Sequence, residues 1–134
     1  MDEILILGPS SDGDSKKIQV YESIATVCLK YVPRVYSPLD SAKFIGDDTQ
    51  RYERADQRVG LADLIIGEQS GPSTGEGIEI GLAIPLKIPL IVVAQTGSKV
   101  SGITKGCPIL KEILYYDSIQ DLEQKLSTSI EKYI

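Results

Sequence analysis

Residues 62–83 contain the side chains that are best suited to do chemistry. The segment reads ADLIIGEQSGPSTGEGIEIGLA, and its two later glutamates, Glu76 and Glu79, accompany a turn rich in glycine and hydroxyl residues. A carboxylate can act as a nucleophile when nearby donors keep it ionised, and the N–H groups at a helix start are such donors. Glu79, in the first turn of a predicted helix, is the candidate nucleophile, although Glu76 could take the same role. Alternatively, both residues only complement the helix dipole.

Two turns of the chain could hold an anion. Segments 8–13 and 71–77 each follow a predicted strand and precede a predicted helix. Backbone N–H groups at a helix start are unpaired and point outward, so they can bind a phosphate. The candidate phosphate-binding residues in these turns are Gly8, Ser10, Ser73, Gly75 and Gly77. Neither turn is a Walker A or a GxGxxG motif, so the glycines could instead serve only to form left-handed turns.

The composition removes several classes of site. The chain has no histidine, which excludes His-based triads, His general bases and His metal ligands. Cys28 and Cys107 form no CxxC pair, which argues against a zinc site and favours reduced cysteines of the core type. Chemistry must therefore come from carboxylates, hydroxyls, backbone amides, Lys or Arg. We expect no metal and no cofactor.

Length and charge indicate one globular domain, residues 1–134. The chain has 134 residues, 42% of them hydrophobic and 25% charged, and a formal net charge of −5, which is ordinary for a globular protein. The acidic balance, with no evident cluster of Lys and Arg, argues against a nucleic-acid partner. No apolar run approaches the roughly 18 residues of a membrane span, and no targeting pattern precedes the first strand. We expect a cytoplasmic protein that does not bind membranes.

Strand and helix patterns alternate along the chain. Short apolar runs predict five strands, at residues 3–7, 34–36, 63–66, 90–94 and 113–116. Helical spacing of apolar residues predicts helices from Asp14, over 52–62, from about Glu76 to Pro85, and over 119–130, with polar loops at 37–48 and 95–106. This alternation predicts an α/β fold, a single doubly wound five-stranded parallel sheet of the Rossmann or flavodoxin-like kind, in the order 2-1-3-4-5. In that order both glycine turns reach one cleft.

The central segment matches a known motif without a gap. The matching residues are Ala62, Asp63, Glu68, Pro72, Ser73, Gly75, Gly77, Glu79, Gly81 and Ala83. This pattern resembles the nucleoside 2-deoxyribosyltransferase superfamily, whose motif is AD-apolar-AE-x(3)-PS-x-G-x-G-x-E-L-G-x-A. The chain is most similar to the 2′-deoxynucleoside 5′-monophosphate N-glycosidases, through Gly8-Pro9 after the first strand and the S-x-x-x-K-G segment at 101–106. The resemblance covers residues 4 to about 117, but only the central motif is specific.

The resemblance implies an activity and a site. It implies that Glu79 is the nucleophile, that Ser73 holds a 5′-phosphate, and that Ser101 does so from the neighbouring subunit of a homodimer. The implied reaction is hydrolysis, or transfer, of the N-glycosidic bond of a nucleoside or nucleotide through a covalent glycosyl-enzyme. The alternative is a nucleotide-binding or sensor module with little or no catalysis.

The sequence departs from the family pattern at two positions. The tyrosine of the first strand is replaced by Leu5, and the aspartate eight residues before Asp63 is replaced by Ala55. The neighbouring Asp56 lies about 100° further around the helix, so a small rotation could bring its carboxylate beside Glu79. We predict that Asp56 takes this catalytic role; the alternative is a solvated aspartate on the helix surface.

Overall fold

The computed structural model describes residues 1–134, which form one sheet covered by helices. The strands are β1 (Glu3–Leu7), β2 (Arg34–Tyr36), β3 (Leu64–Glu68), β4 (Leu90–Gln95) and β5 (Leu110–Tyr116). The helices are α1 (Ser15–Cys28), α2 (Pro38–Ser41), α3 (Asp48–Leu61), α4 (Thr74–Ala83), α5 (Gly102–Lys105) and α6 (Ile119–Ile130). A single turn of 3-10 helix, Glu131–Tyr133, ends the chain's regular structure.

The sheet has the predicted order. All four strand pairs are parallel, and the order is β2-β1-β3-β4-β5, which confirms the prediction of a doubly wound α/β fold. Leu5 in β1 lies opposite Tyr36 on one side and Ile65 on the other. Parallel neighbours end at the same edge of a sheet, so the turns after β1 and β3 lie side by side.

The core has two layers because successive strand residues face opposite sides of the sheet. On one face, Ile4 and Ile6 pack with residues of α1 and α6, such as Ile24 and Leu126. On the other face, Leu5 and Leu7 belong to a core layer with residues of α3 and α4, among them Val59, Ile80 and Ala83. Leu5 is buried, so the position where the family has a tyrosine offers only apolar packing here. Cys28 is buried in the first layer, as predicted for a core cysteine.

Side-chain caps decide where the helices begin. Asp14 accepts hydrogen bonds from the backbone N–H groups of Lys16 and Lys17, and so caps α1. Ser73 accepts one from the N–H of Glu76 and caps α4. Helix α4 therefore begins at Thr74, two residues earlier than the apolar pattern predicted, because the capping hydroxyl fixes the start and not the first apolar side chain.

Both predicted polar loops contain a short helix. In the first, Ser37 and Asp40 form a reciprocal capping box that starts α2, so residues 38–41 of the predicted polar loop are a short helix. In the second, α5 follows Ser101, which makes no side-chain capping bond. No helix in the chain combines the length and the apolar character that crossing a membrane demands.

Candidate active site

Both glycine turns line one cavity, which we call the Glu79 cavity. It has a volume of about 190 Å³, and the turn after β1 contributes Gly8 and Ser10 to its lining. The turn after β3 and the first half of α4 contribute Ser73, Gly75 and Glu79. Five of the residues that sequence reasoning selected thus lie around a single space. The reason is the sheet order, which makes β1 and β3 neighbours.

Glu79 lies deeper and later in its helix than predicted. Because α4 begins at Thr74, Glu79 stands in the second turn, beyond the unpaired N–H groups of the helix start. Burial raises the pKa of the Glu79 carboxyl to about 7. The expectation that helix donors keep this carboxylate ionised is therefore wrong, since burial disfavours the charged form. Near neutral pH, Glu79 is divided between its two protonation states.

Glu76 is a second carboxyl of the same cavity. Its side chain is 4% exposed and lines the space beside Glu79. Burial, followed by the charges of Glu68 and Glu79, raises the pKa of Glu76 to about 9. Its Oε2 atom has no hydrogen-bond partner, and it lies so close to Gly67 that a Cβ on that glycine would be 2.9 Å away. Glu76 is thus protonated at neutral pH, and sequence reasoning treated it only as a rival of Glu79.

Ser73 connects the Glu79 cavity to a larger one, which we call the serine cavity. The serine cavity has a volume of about 610 Å³ and is also lined by Gly77, Lys99, Ser101 and Thr104. Ser101 therefore shares a cavity with Ser73 within one chain. The expected contribution from a neighbouring subunit is not needed to bring these two hydroxyls to the same space, and the homodimer stays a prediction.

Asp56 does not reach the cleft. Its side chain is exposed, whereas Ala55 lines a cavity together with Glu79. The prediction that Asp56 turns toward Glu79 is wrong, because α3 runs without the rotation or shift that this required. Ala55, at the position where the resembling family has its aspartate, brings only a methyl group to that cavity.

Hydrogen bonds of the buried residues Glu68, Tyr116 and Tyr21 hold the two turns against the end of the sheet and against α1. Glu68, at the end of β3, accepts a hydrogen bond of 2.6 Å from the hydroxyl of Tyr116 and further bonds from the N–H and hydroxyl of Ser70. Tyr21 of α1 donates its hydroxyl to the carbonyl oxygen of Pro9, over 2.5 Å. The sequence motif contained Glu68, but nothing in the spacing indicated its two tyrosine neighbours, which come from distant elements.

We expect Gly8→Ala to destabilise the protein, because a Cβ at Gly8 would lie within 3.0 Å of the ring and hydroxyl of Tyr21. Tyr21 is buried and bonded to Pro9, so it has little room to move, and overpacking of this kind costs about 1–3 kcal/mol. The matched control is Gly75→Ala, where no atom lies within 4 Å of the new methyl. Urea unfolding should show a loss for Gly8→Ala only; an equal loss for both would contradict the argument.

Three arginines of α3 form a cluster that the sequence analysis overlooked. Arg51, Arg54 and Arg58 line one cavity with Glu79. They were overlooked because acidic residues separate them in the sequence, whereas spacings of three and four residues place side chains on the same face of a helix. The statement that the chain has no cluster of basic residues is therefore wrong. No group of three or more Cys, Asp or Glu residues is arranged to hold a metal ion.

Comparison with known proteins gives one curated relative. The chain is 35% identical over 77 residues to the "Putative 2′-deoxynucleoside 5′-phosphate N-hydrolase 1" of Syntrophotalea carbinolica. The match covers 56% of this chain and 54% of the relative, so the chain spans about half the length of the curated relative it matches. The resemblance to the nucleoside 2-deoxyribosyltransferase superfamily is confirmed. No family model matches the chain.

Solved structures share the fold of this chain. The CMP N-glycosidase BcmB of Clostridium botulinum superimposes with a TM-score of 0.72 at 18% identity, over 95% of this chain and 99% of that one. A 2-deoxyribosyltransferase of Bacillus psychrosaccharolyticus superimposes with a TM-score of 0.63 at 20% identity, over 92% and 95% of the two chains. Identities this low show the shared fold alone.

Proposed function

We propose that this chain cleaves the N-glycosidic bond of a nucleoside 5′-monophosphate through a covalent glycosyl ester on Glu79. The observation that carries the proposal is the Glu79 cavity, where one carboxylate stands beside two glycine turns that present hydroxyls and backbone N–H groups. The curated relative's name states this type of reaction. The proposed enzyme is a cytoplasmic homodimer that acts on a small-molecule nucleotide. It uses no cofactor and binds neither nucleic acid nor a membrane.

The first half of the reaction needs an ionised Glu79. One of its carboxylate oxygens attacks C1′ of the sugar and forms a C–O bond, while the C1′–N bond breaks and its electron pair leaves with the base. With a pKa of about 7, Glu79 is ionised in a large fraction of molecules at neutral pH. Its partial burial also keeps its charge poorly solvated, which favours attack on the electrophilic carbon.

The departing base must gain a proton, and Glu76 is the group that can supply it. Glu76 lines the same cavity and keeps its proton up to a pKa of about 9. Two carboxyls whose surroundings separate their pKa values in this way can divide the roles of nucleophile and acid. In the second half, water attacks C1′, the ester bond to Glu79 breaks, and Glu76 recovers its proton from that water. The sugar phosphate leaves with retained configuration.

The 5′-phosphate is placed at the two turns. The Ser10 and Ser73 hydroxyls and the N–H groups near Gly8 and Gly75 supply donors for phosphate oxygens. Gly77 and Ser101, in the adjoining serine cavity, extend this donor surface. Because Gly75 has no Cβ atom, a phosphate can approach the start of α4 closely.

Ser73→Ala should raise KM for a 5′-monophosphate by about tenfold or more, since a hydrogen bond to a charged group contributes about 1.5–3 kcal/mol. KM for the free nucleoside should change by less than about twofold. The mutation also removes the cap of α4, which costs about 1 kcal/mol of stability. Steady-state kinetics on both substrates measures the difference.

The control for the lost cap is Ser118→Ala. Ser118 caps α6 by accepting a hydrogen bond of 3.1 Å from the N–H of Asp121, and it lines neither the Glu79 cavity nor the serine cavity. It should show a similar loss of stability with KM unchanged. If KM rose equally for the nucleotide and the nucleoside, the turn that contains Ser73 would not be the binding site of the phosphate.

The proposed function is tested by incubating the protein with a panel of ribonucleoside and deoxyribonucleoside 5′-monophosphates and measuring free base by chromatography. Release of base from at least one nucleotide, faster than from its nucleoside, is expected. Binding of a nucleotide without release from any member of the panel would reject hydrolysis. The protein would then be a nucleotide-binding module, the second candidate, which is favoured by one observation: Ala55 brings no carboxylate to the cavity beside Glu79.

A further inference from the structure

Three guanidinium groups and two aromatic rings alternate in a stack beside Glu79. The guanidinium carbon of Arg51 lies 5.6 Å from the centre of the Phe44 ring, and that of Arg54 lies 6.0 Å from the same ring. Arg54 also lies 5.6 Å from the centre of the Tyr36 ring, and Arg58 lies 4.3 Å from it. Cation–π contacts with the rings favour these positions of the guanidinium groups, so the stack gathers three positive charges on one face of α3.

The positive charge of this stack is largely uncompensated. Arg58 is 2.9 Å from a carboxylate oxygen of the buried Glu3, which Arg34 also pairs with at 3.4 Å. Arg51 and Arg54 belong to no ion pair. The Nε atom of Arg58 is buried and has no hydrogen-bond partner. Although the protein is acidic overall, this site therefore offers unpaired guanidinium donors and positive charge to an anion.

Acidic residues of α3 do not neutralise the stack. Asp48, Glu53 and Asp56 are all exposed, and none of them lines the cavity on which the arginines converge. At 100° per residue, Glu53 and Asp56 leave the helix away from the side of Arg51, Arg54 and Arg58. Glu79 lines the cavity, yet it forms no ion pair with any arginine.

The space beside the stack, which we call the arginine cavity, continues the Glu79 cavity. It has a volume of about 150 Å³, and Ser41, Arg51 and Glu79 line both spaces. Of these two spaces, the turns with Ser10 and Ser73 line the Glu79 cavity and not the arginine cavity. A ligand that places a phosphate at these turns and its C1′ at Glu79 would thus extend its far end toward Arg51 and Arg54.

We propose that the arginine cavity is a second anion subsite, which selects nucleotides that carry another negative group away from the 5′-phosphate. This inference rests on the proposed function. The matching chemistry is a carboxylate or phosphate oxygen pair, because a guanidinium donates two parallel hydrogen bonds to such a pair. The group is either a carboxylate on the base or a phosphate at the 3′ position. A plain 5′-monophosphate leaves the stack without an anion.

The test compares matched ligands by isothermal titration calorimetry. All chains carry Glu79→Gln, so that no ligand is consumed. Orotidine 5′-monophosphate is compared with uridine 5′-monophosphate, and thymidine 3′,5′-bisphosphate with thymidine 5′-monophosphate. In at least one of the two pairs, the ligand with the additional anionic group should bind about tenfold tighter or more than its partner, the effect of one charge-assisted contact. A gain in the first pair alone assigns a carboxylated base, and a gain in the second alone assigns a 3′-phosphate.

Arg54→Gln is the decisive variant, because Arg54 lines only the arginine cavity whereas Arg51 lines both spaces. It should abolish the tenfold gain and leave the affinity for the monophosphate within about twofold. The control is Arg34→Gln, which removes the same charge from a side chain that is 63% exposed and lies outside the arginine cavity. It should retain the gain.

The subsite would be overturned if the two ligands of each pair bound with equal affinity. It would also be overturned if the gain in affinity survived Arg54→Gln, or if Arg34→Gln reduced that gain as much as Arg54→Gln does. Base release is assayed separately with the unmodified catalytic residues. If the ratio of affinities is as expected but no nucleotide releases base, the proposed hydrolysis fails and the subsite stands. If a monophosphate is hydrolysed and no ligand pair differs in affinity, the subsite fails and the hydrolysis stands.

Discussion

Glu79→Gln is expected to abolish base release while folding and nucleotide binding persist. The amide keeps the size of the side chain and part of its hydrogen bonding, but it cannot form the glycosyl ester. The loss should appear in kcat, by at least about a thousandfold, with KM nearly unchanged. Folding should be retained or improved above the pKa of about 7, since the neutral amide removes a partly buried charge. Single-turnover base release and thermal unfolding measure the two effects.

The control for this prediction is the neighbouring carboxyl. Glu76→Gln removes a carboxyl from the same cavity and should cost less than Glu79→Gln, about a hundredfold, which is typical of a lost general acid. If Glu76→Gln proved the more damaging change, the nucleophile would be Glu76. If neither change reduced base release, the chemistry would lie outside this cavity.

The second large effect is on the dependence of the rate on pH. The rate of the unmodified protein should rise as Glu79 ionises around its pKa of about 7, and fall as Glu76 loses its proton around about 9. In Glu76→Gln the falling limb should disappear and the rising limb should remain. A profile of kcat against pH measures both. An unchanged falling limb in Glu76→Gln would assign the proton donor to another group.

The same pKa shifts predict how stability depends on pH. Both carboxyls bind their protons more tightly in the folded chain than at the ordinary value of 4.5. Their contribution to stability is therefore fully present below 4.5 and is lost as the pH rises through about 7 for Glu79 and about 9 for Glu76. Glu76→Gln should flatten this decline. Denaturant unfolding over that range of pH tests it, and a parallel decline in both proteins would contradict the burial of Glu76 as its cause.

Much of the fold could be predicted because its signals are local. Apolar runs gave the strands, and Pro33 and Pro89 stand just before two of them. The alternation of strands and helices then favours one topology. Helix α4 starts at Thr74 and not at about Glu76, and of its two isoleucines Ile78 is 51% exposed whereas Ile80 is buried. In a helix of glycines and isoleucines the apolar face cannot be read from spacing, and the cap at Ser73 decides the start.

The candidate site was predictable where it rests on turns, and not where it rests on distant partners. Gly8, Ser73 and Glu79 follow neighbouring strands, so the sheet order alone brings them together. The pKa of Glu76 depends on Glu68 and on burial by other elements, which no local pattern contains. Asp56 was misplaced because a rotation of 100° decides between cleft and solvent. That rotation is set by the packing of α3 as a whole.

The most direct test of the central claim is to find the covalent intermediate on Glu79. The protein is mixed with a 2′-fluorinated nucleotide, since the electron-withdrawing fluorine slows breakdown of the glycosyl ester, and is then analysed by intact-mass and peptide mass spectrometry. We predict an added sugar phosphate on the peptide that contains α4, at Glu79, and none in Glu79→Gln. Release of base with an adduct on another residue, or with the same adduct in Glu79→Gln, would contradict the account.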